Sequence, residues 1–236
     1  MSEAAAAAPT MAASAAGLTP AAARVMAALH GADIYAGFAP IRAPDLQGWN
    51  GAHPALARAV EEVRPALALD VGVWKGQSAV SIAEAMRRAA PDSALVAIDT
   101  FLGSPEHWNR ERPDRIMDSL GLVHGWPGLY WQFLSNMVHA GHADRVVPLP
   151  QTSENAAVIL RRLGLRPDLV HIDAAHEYEP VRRDIEAYWA LLRPGGILVG
   201  DDYPWPGVKR AADEFAAAQG LPLEVQDPKW IIRKPH

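Results

Sequence analysis

The 236-residue chain carries 22 Lys and Arg against 27 Asp and Glu, a formal net charge of −5, and half of its residues are hydrophobic. That is enough chain for one α/β domain with a modest appendage and a full core, and the charge balance offers no basic stripe for nucleic acid. The absence of cysteine removes disulfides, thiolate metal sites and cysteine nucleophiles at once. No apolar run reaches the length of a membrane span. A small-molecule partner, no nucleic acid, no membrane and a cytoplasmic location are therefore expected.

The chain opens with an Ala-rich stretch containing neither Lys nor Arg, which a secretory signal would need. Residues 1–19 read as a disordered leader, although alanine also favours helix. A helix is expected from Pro20 to His30, within an N-terminal helical segment covering 20–65. From residue 66 onward short apolar runs alternate with helical periodicity. The expected strands are Ala66–Val71, Ala94–Asp99, Arg145–Leu149, Leu169–Asp173 and Gly196–Asp201. Helices are expected at Ser78–Ala89, Pro180–Leu192 and Val208–Gln219. Wholly apolar strands between helices imply a parallel sheet covered on both faces. Leu223–Gln226 and Trp230–Arg233, flanking Asp227-Pro228-Lys229, read as a closing hairpin. Residues 102–143, rich in Trp and His, read as an insert that is either a lid or packing helices.

Chemistry-bearing residues gather at the expected strand ends. Asp70-Val-Gly72-Val-Trp-Lys-Gly76-Gln-Ser78 follows one strand and opens a helix, with glycines for a sharp turn and a close ligand approach. Its spacing is not that of a dinucleotide fingerprint. Asp99 ends the second strand, where an acid can accept from both ribose hydroxyls, with Thr100 beside it. Asp173, Asp201 and Asp202 end two further strands. In a parallel sheet these carboxylates converge on one edge, where they repel unless a cation joins them. Hard oxygen ligands suit Mg²⁺, with Mn²⁺ or Ca²⁺ as alternatives. His176 lies three residues past Asp173, within reach of that point, and can act as a base; the plainer role is to orient a carboxylate. His171 reads as a core residue.

The first of these motifs resembles that of class I S-adenosylmethionine-dependent methyltransferases of the catechol and caffeoyl-CoA O-methyltransferase group. The acid after the fourth strand and the acidic pair after the fifth resemble the metal site of metal-dependent O-methyltransferases. Ile172-Asp173-Ala-Ala-His176-Glu-Tyr178-Glu is similar to a stretch of the antibiotic-sugar O-methyltransferase branch, with Ala174-Ala175 in place of Gly-Asp. The resemblance spans roughly Leu67 to Arg233. It implies a Rossmann-like fold with a mostly parallel seven-stranded sheet, a C-terminal antiparallel hairpin and helices on both faces. It places S-adenosyl-L-methionine on Asp70, Gly72, Gly76, Ser78, Asp99, Thr100 and Ser153. It places Mg²⁺ or Mn²⁺ on Asp173, Asp201 and Asp202, and a small hydroxyl acceptor, sugar-containing or aromatic, near His176. Self-association is also expected from it. The alternatives are a metal-independent methyltransferase acting on nitrogen or carbon, a nicotinamide-dependent oxidoreductase and a non-catalytic binding protein.

Overall fold

The computed structural model describes residues 17–236; the expected leader falls outside these over residues 1–16. Helix α1 (Pro20–His30) starts where the Thr19 side chain accepts from the Ala22 amide, and it ends at a left-handed Gly31. Helix α2 (Pro54–Val63) follows. Residues 31–53 between them form no helix. This departs from the expected helical segment, and the physical reason is the density of Gly, Pro and Asp in that stretch.

The sheet has seven strands: β1 (Leu67–Val71), β2 (Ala94–Asp99), β3 (Val146–Pro150), β4 (Leu169–Ile172), β5 (Ile197–Gly200), β6 (Glu224–Gln226) and β7 (Lys229–Arg233). Their order is β3-β2-β1-β4-β5-β7-β6. The first five run parallel, and β7 lies antiparallel between β5 and β6. This is the Rossmann-like arrangement expected, with strand ends displaced by at most one residue. One displacement matters: Lys229, expected in the turn, opens β7 opposite Gln226 and is fully buried. Trp230 pairs with Gly200 and lies across it, so that a Cβ at Gly200 would fall 2.0 Å from the indole.

Helices α3 (Gln77–Ala89), α4 (Leu129–His139), α5 (Ser153–Arg162), α6 (Tyr178–Leu191) and α7 (Pro206–Gln219) complete the layers. Successive strand residues point to opposite faces. Leu67, Leu69 and Val71 pack with α1, α5, α6 and α7, whereas Ala68 packs with α2, α3 and α4. The stretch 102–143 divides in two. Its first part holds two short 3₁₀ turns, Pro105–Trp108 and Ile116–Leu120. Its second part is α4, a core helix that buries Leu129, Phe133, Leu134 and Met137. Among the described residues no helix is long and apolar enough to cross a membrane.

Candidate active site

The sheet order reverses between β1 and β4, so a crevice opens at the carboxyl ends of these strands. A cavity of about 700 Å³ lies there, lined by Gly72, Ser78, Asp99, Thr100, Ser153, Asp173, His176, Asp201 and Asp202 among others. Nearly every residue expected at the site is thus gathered in one place. Asp70 and Gly76 are not on the cavity wall. Asp70 is fully buried beneath it, accepting from Ser78 Oγ at 2.7 Å and sharing a 2.7 Å hydrogen bond with His171 Nδ1. Its role is to tie β1 to the start of α3. Gly76 has φ 95°, a conformation that side chains rarely adopt, and its Cβ would also meet Met137 at 2.6 Å and Phe133 at 3.0 Å. Gly72, at φ 87°, faces the cavity and is also forced by packing, since a Cβ there would lie 2.0 Å from the Asp173 carbonyl oxygen.

Asp99 accepts from the Trp74 amide at 2.9 Å and the Phe101 amide at 2.7 Å. Both donors belong to non-glycine residues in the left-handed region, at φ 50° and 56°. Asp99 therefore braces two turns at the mouth of the crevice. Burial pushes its carboxyl pKa up, against the lowering effect of these amides. Thr100 accepts from the Leu102 amide. Ser153 begins α5, where Thr152 caps the helix by accepting from the Asn155 amide. The Ser153 hydroxyl bonds to Asp184 of α6, whose carboxyl is pushed up to about 6 by burial.

The acidic end is arranged differently from the expected triad. One donor atom each from Asp173, His176 and Asp202 lie within 4.8 Å of one another, as do those of His171, Asp173 and Asp201. The His176 imidazole sits 2.8 Å from Asp202 Oδ2 and stacks on Trp205 with centroids 4.7 Å apart. Its pKa is raised, first by the hydrogen bond to Asp202. The Asp173 carboxyl is pushed well above the ordinary range by burial and then by the negative charge of Asp201. Asp201 itself is held: Lys229 Nζ donates to its Oδ2 at 2.6 Å, and the Asp202 amide donates to its Oδ1 at 2.8 Å. Lys229 also donates to His171 Nε2 at 3.0 Å. An ammonium only donates, so His171 must carry its proton on Nδ1 and give it to Asp70.

The profile of a family described as methyltransferase domain matches residues 69–203, more than half of the chain. The chain belongs to this family. No curated protein matches the sequence significantly. Solved structures share its fold at low identity. The O-methyltransferase NovP is 19% identical, with 78% of this chain and 79% of that one covered and a TM-score of 0.57. An O-methyltransferase from Bacillus cereus in complex with S-adenosylhomocysteine is 17% identical over 82% and 84%, at 0.55. TomG from Streptomyces achromogenes, bound to S-adenosylmethionine, is 18% identical over 91% and 90%, at 0.54. This chain carries a methyltransferase domain.

Two groups of residues at or behind this cavity were not legible in the sequence. Lys229, buried behind Asp201, is one, and only the placement of β7 beside β5 reveals it. Residues 47–51 are another group, running along the cavity wall from a segment without regular structure. They are strapped down by Lys75, whose buried ammonium donates to Asp45 at 2.6 Å and Gln47 at 2.7 Å, and by Asn136 of α4, which donates to the Asp45 carbonyl. Trp49 then joins Trp74 and His107, whose rings stack at 4.2 Å. Burial lowers the His107 pKa and favours the neutral ring. The exposed aromatic residues of the 31–53 and 102–120 stretches were the available signal, and nothing in their spacing ties them to the cavity.

Proposed function

We propose that this methyltransferase transfers the methyl group of S-adenosylmethionine to a hydroxyl oxygen of a small molecule, a sugar or an aromatic ring, with the help of a divalent cation. The observation that carries the reading is the convergence of Asp173, His176 and Asp202 at one end of the crevice. Asp173 is half-buried beside other carboxylates, and among the described residues no side-chain donor bonds to it. A hard cation fits that oxygen-rich donor set. The O-methyltransferases that share the fold support oxygen as the acceptor atom.

When bound, Mg²⁺ or Mn²⁺ supplies Lewis acidity toward the acceptor hydroxyl, and S-adenosylmethionine supplies the sulfonium methyl group. The chain does the rest. Asp173 and Asp202 would hold the cation. His176 takes the acceptor proton, and Asp202 steadies the resulting imidazolium. Trp205 fixes the plane of that imidazole. Trp49 and Trp205 are each about half exposed at the cavity and offer flat apolar faces to a ring, with residues 47–51 excluding water behind it.

The test is activity on a panel of sugar and phenolic acceptors in excess chelator, followed by Mg²⁺ or Mn²⁺. Turnover should vanish and return. Full activity in chelator would favour the metal-independent alternative, transfer to nitrogen or carbon on the same fold. That alternative draws on Lys229, which already neutralises one carboxylate of the cluster.

A further inference from the structure

We propose that Lys229 is a built-in cation that withholds Asp201 from the divalent-metal site, leaving Asp173 and Asp202 as its carboxylates. The inference rests on the metal-dependent reading above and changes its ligand set. Asp201 and Asp202 are neighbours in sequence and part ways in space. Asp201 is 4% exposed and has one oxygen on Lys229 Nζ and the other on the Asp202 amide. Asp202 instead presents its carboxylate to His176. Of the clusters able to hold an ion among the described residues, none contains both Asp201 and Asp202.

Lys229 has nowhere else to go. It is fully buried at the start of β7, a strand confined between β5 and β6. Its second hydrogen bond is fixed by His171, which is fixed in turn by Asp70, and Asp70 by Ser78. A divalent ion on Asp201 would have to approach a carboxylate already bearing an ammonium in a buried setting, where like charges are least screened. The pair also aims its neighbour. Asp202 sits in the left-handed region at φ 57°, a strained conformation for this residue, and its amide is anchored on the Asp201 oxygen that Lys229 holds in place. Lys229 is thus a positioning residue for Asp202, and the relay through His171 joins the ion end of the crevice to the cofactor loop.

The experiment is Mn²⁺ binding to the full-length protein, read by electron paramagnetic resonance, with S-adenosylhomocysteine affinity and thermal unfolding measured for every variant. Lys229→Met combined with Asp201→Asn removes both charges together. This pair should keep Mn²⁺ affinity within about 10–100-fold of wild type, the scale of losing an outer partner of a metal ligand, whereas Asp173→Ala and Asp202→Ala should each remove binding. A loss in the pair as complete as in Asp173→Ala, with S-adenosylhomocysteine still bound, overturns the inference and returns Asp201 to the ligand set. A wild type that binds no Mn²⁺ overturns the metal reading itself, and with it the inference. Where the paired variant does not fold, the wild type labelled with ¹⁵N-lysine decides. The slowly exchanging ammonium resonance of Lys229 should persist at saturating Mg²⁺, and its disappearance would mean that Asp201 leaves the lysine for the ion.

Discussion

Carboxylates stand at both ends of the crevice, and the two sets are treated differently. At the end formed by the loops after β1 and β2, Asp70 bonds to Ser78 and His171, and Asp99 receives the Trp74 and Phe101 amides. At the other end, burial and the charge of Asp201 outweigh the opposing charge of Lys229 at Asp173, and among the described residues the side chain of Asp202 is met by a histidine that itself faces the cavity. The first set is satisfied by the protein and shapes loops. On the function proposed above, the second is the set left for a cation. Asp201 shows how fine the distinction is: one residue from Asp202, it belongs with the satisfied set because a lysine reaches it.

The comparison breaks most readily at Asp173. Asp173→Asn should abolish turnover in an acceptor assay while leaving S-adenosylhomocysteine affinity near wild type. Removing a buried charge among like charges should at the same time raise the melting temperature of the ion-free protein at neutral pH, because the carboxyl pKa there is raised and ionisation works against folding. A variant that loses stability in the ion-free state would place Asp173 with the satisfied set. His176→Ala should lower kcat by about 10²–10⁴, again with cofactor affinity retained. Persistence of the acidic limb of the pH–rate profile in that variant would remove His176 as the proton acceptor.

The satisfied set should respond through binding and stability instead. Asp99→Ala removes the brace on Trp74 and Phe101 together with the ribose acceptor, and should weaken S-adenosylhomocysteine at least about tenfold by calorimetry; unchanged affinity would remove Asp99 from the cofactor site. The smallest effect is expected at Asp184, whose carboxyl is raised to about 6 by burial, with the Ser153 hydroxyl bond opposing the shift. The unfolded chain releases this proton nearer its ordinary value of 3.8. Between these two pH values the folded state holds more protons, so the contribution of Asp184 to stability falls as pH rises and is lost above about 6. Asp184→Asn should therefore stabilise the fold by up to about 3 kcal/mol at pH 7.5, on the order of 6–12 °C in melting temperature, and change it little at pH 4. An equal gain at both pH values would mean that ionisation is not the cause.

The sequence by itself determined the alternation of strands and helices, the closing hairpin and the clustering of Asp99, Asp173, Asp201 and Asp202 at strand ends. These follow from periodicity, from turn residues and from the rule that parallel strands open on one edge, all of which are local or nearly so. Tertiary structure decided which of those acids are free. Lys229 lies 28 residues from Asp201 and 58 from His171 along the chain, and only the insertion of β7 between β5 and β6 brings them into contact. The glycines make the same point. Both were legible as special, but whether the space beside them belongs to a ligand or to Met137, Phe133 and the Asp173 carbonyl depends on contacts with distant elements. The strap at residues 47–51 was illegible because it has no periodicity, and its hold on the cavity comes from the side chains of Lys75 and Asn136. Charge pairing and steric filling are set by which segments meet, and a linear pattern records that only where the segments are close in sequence.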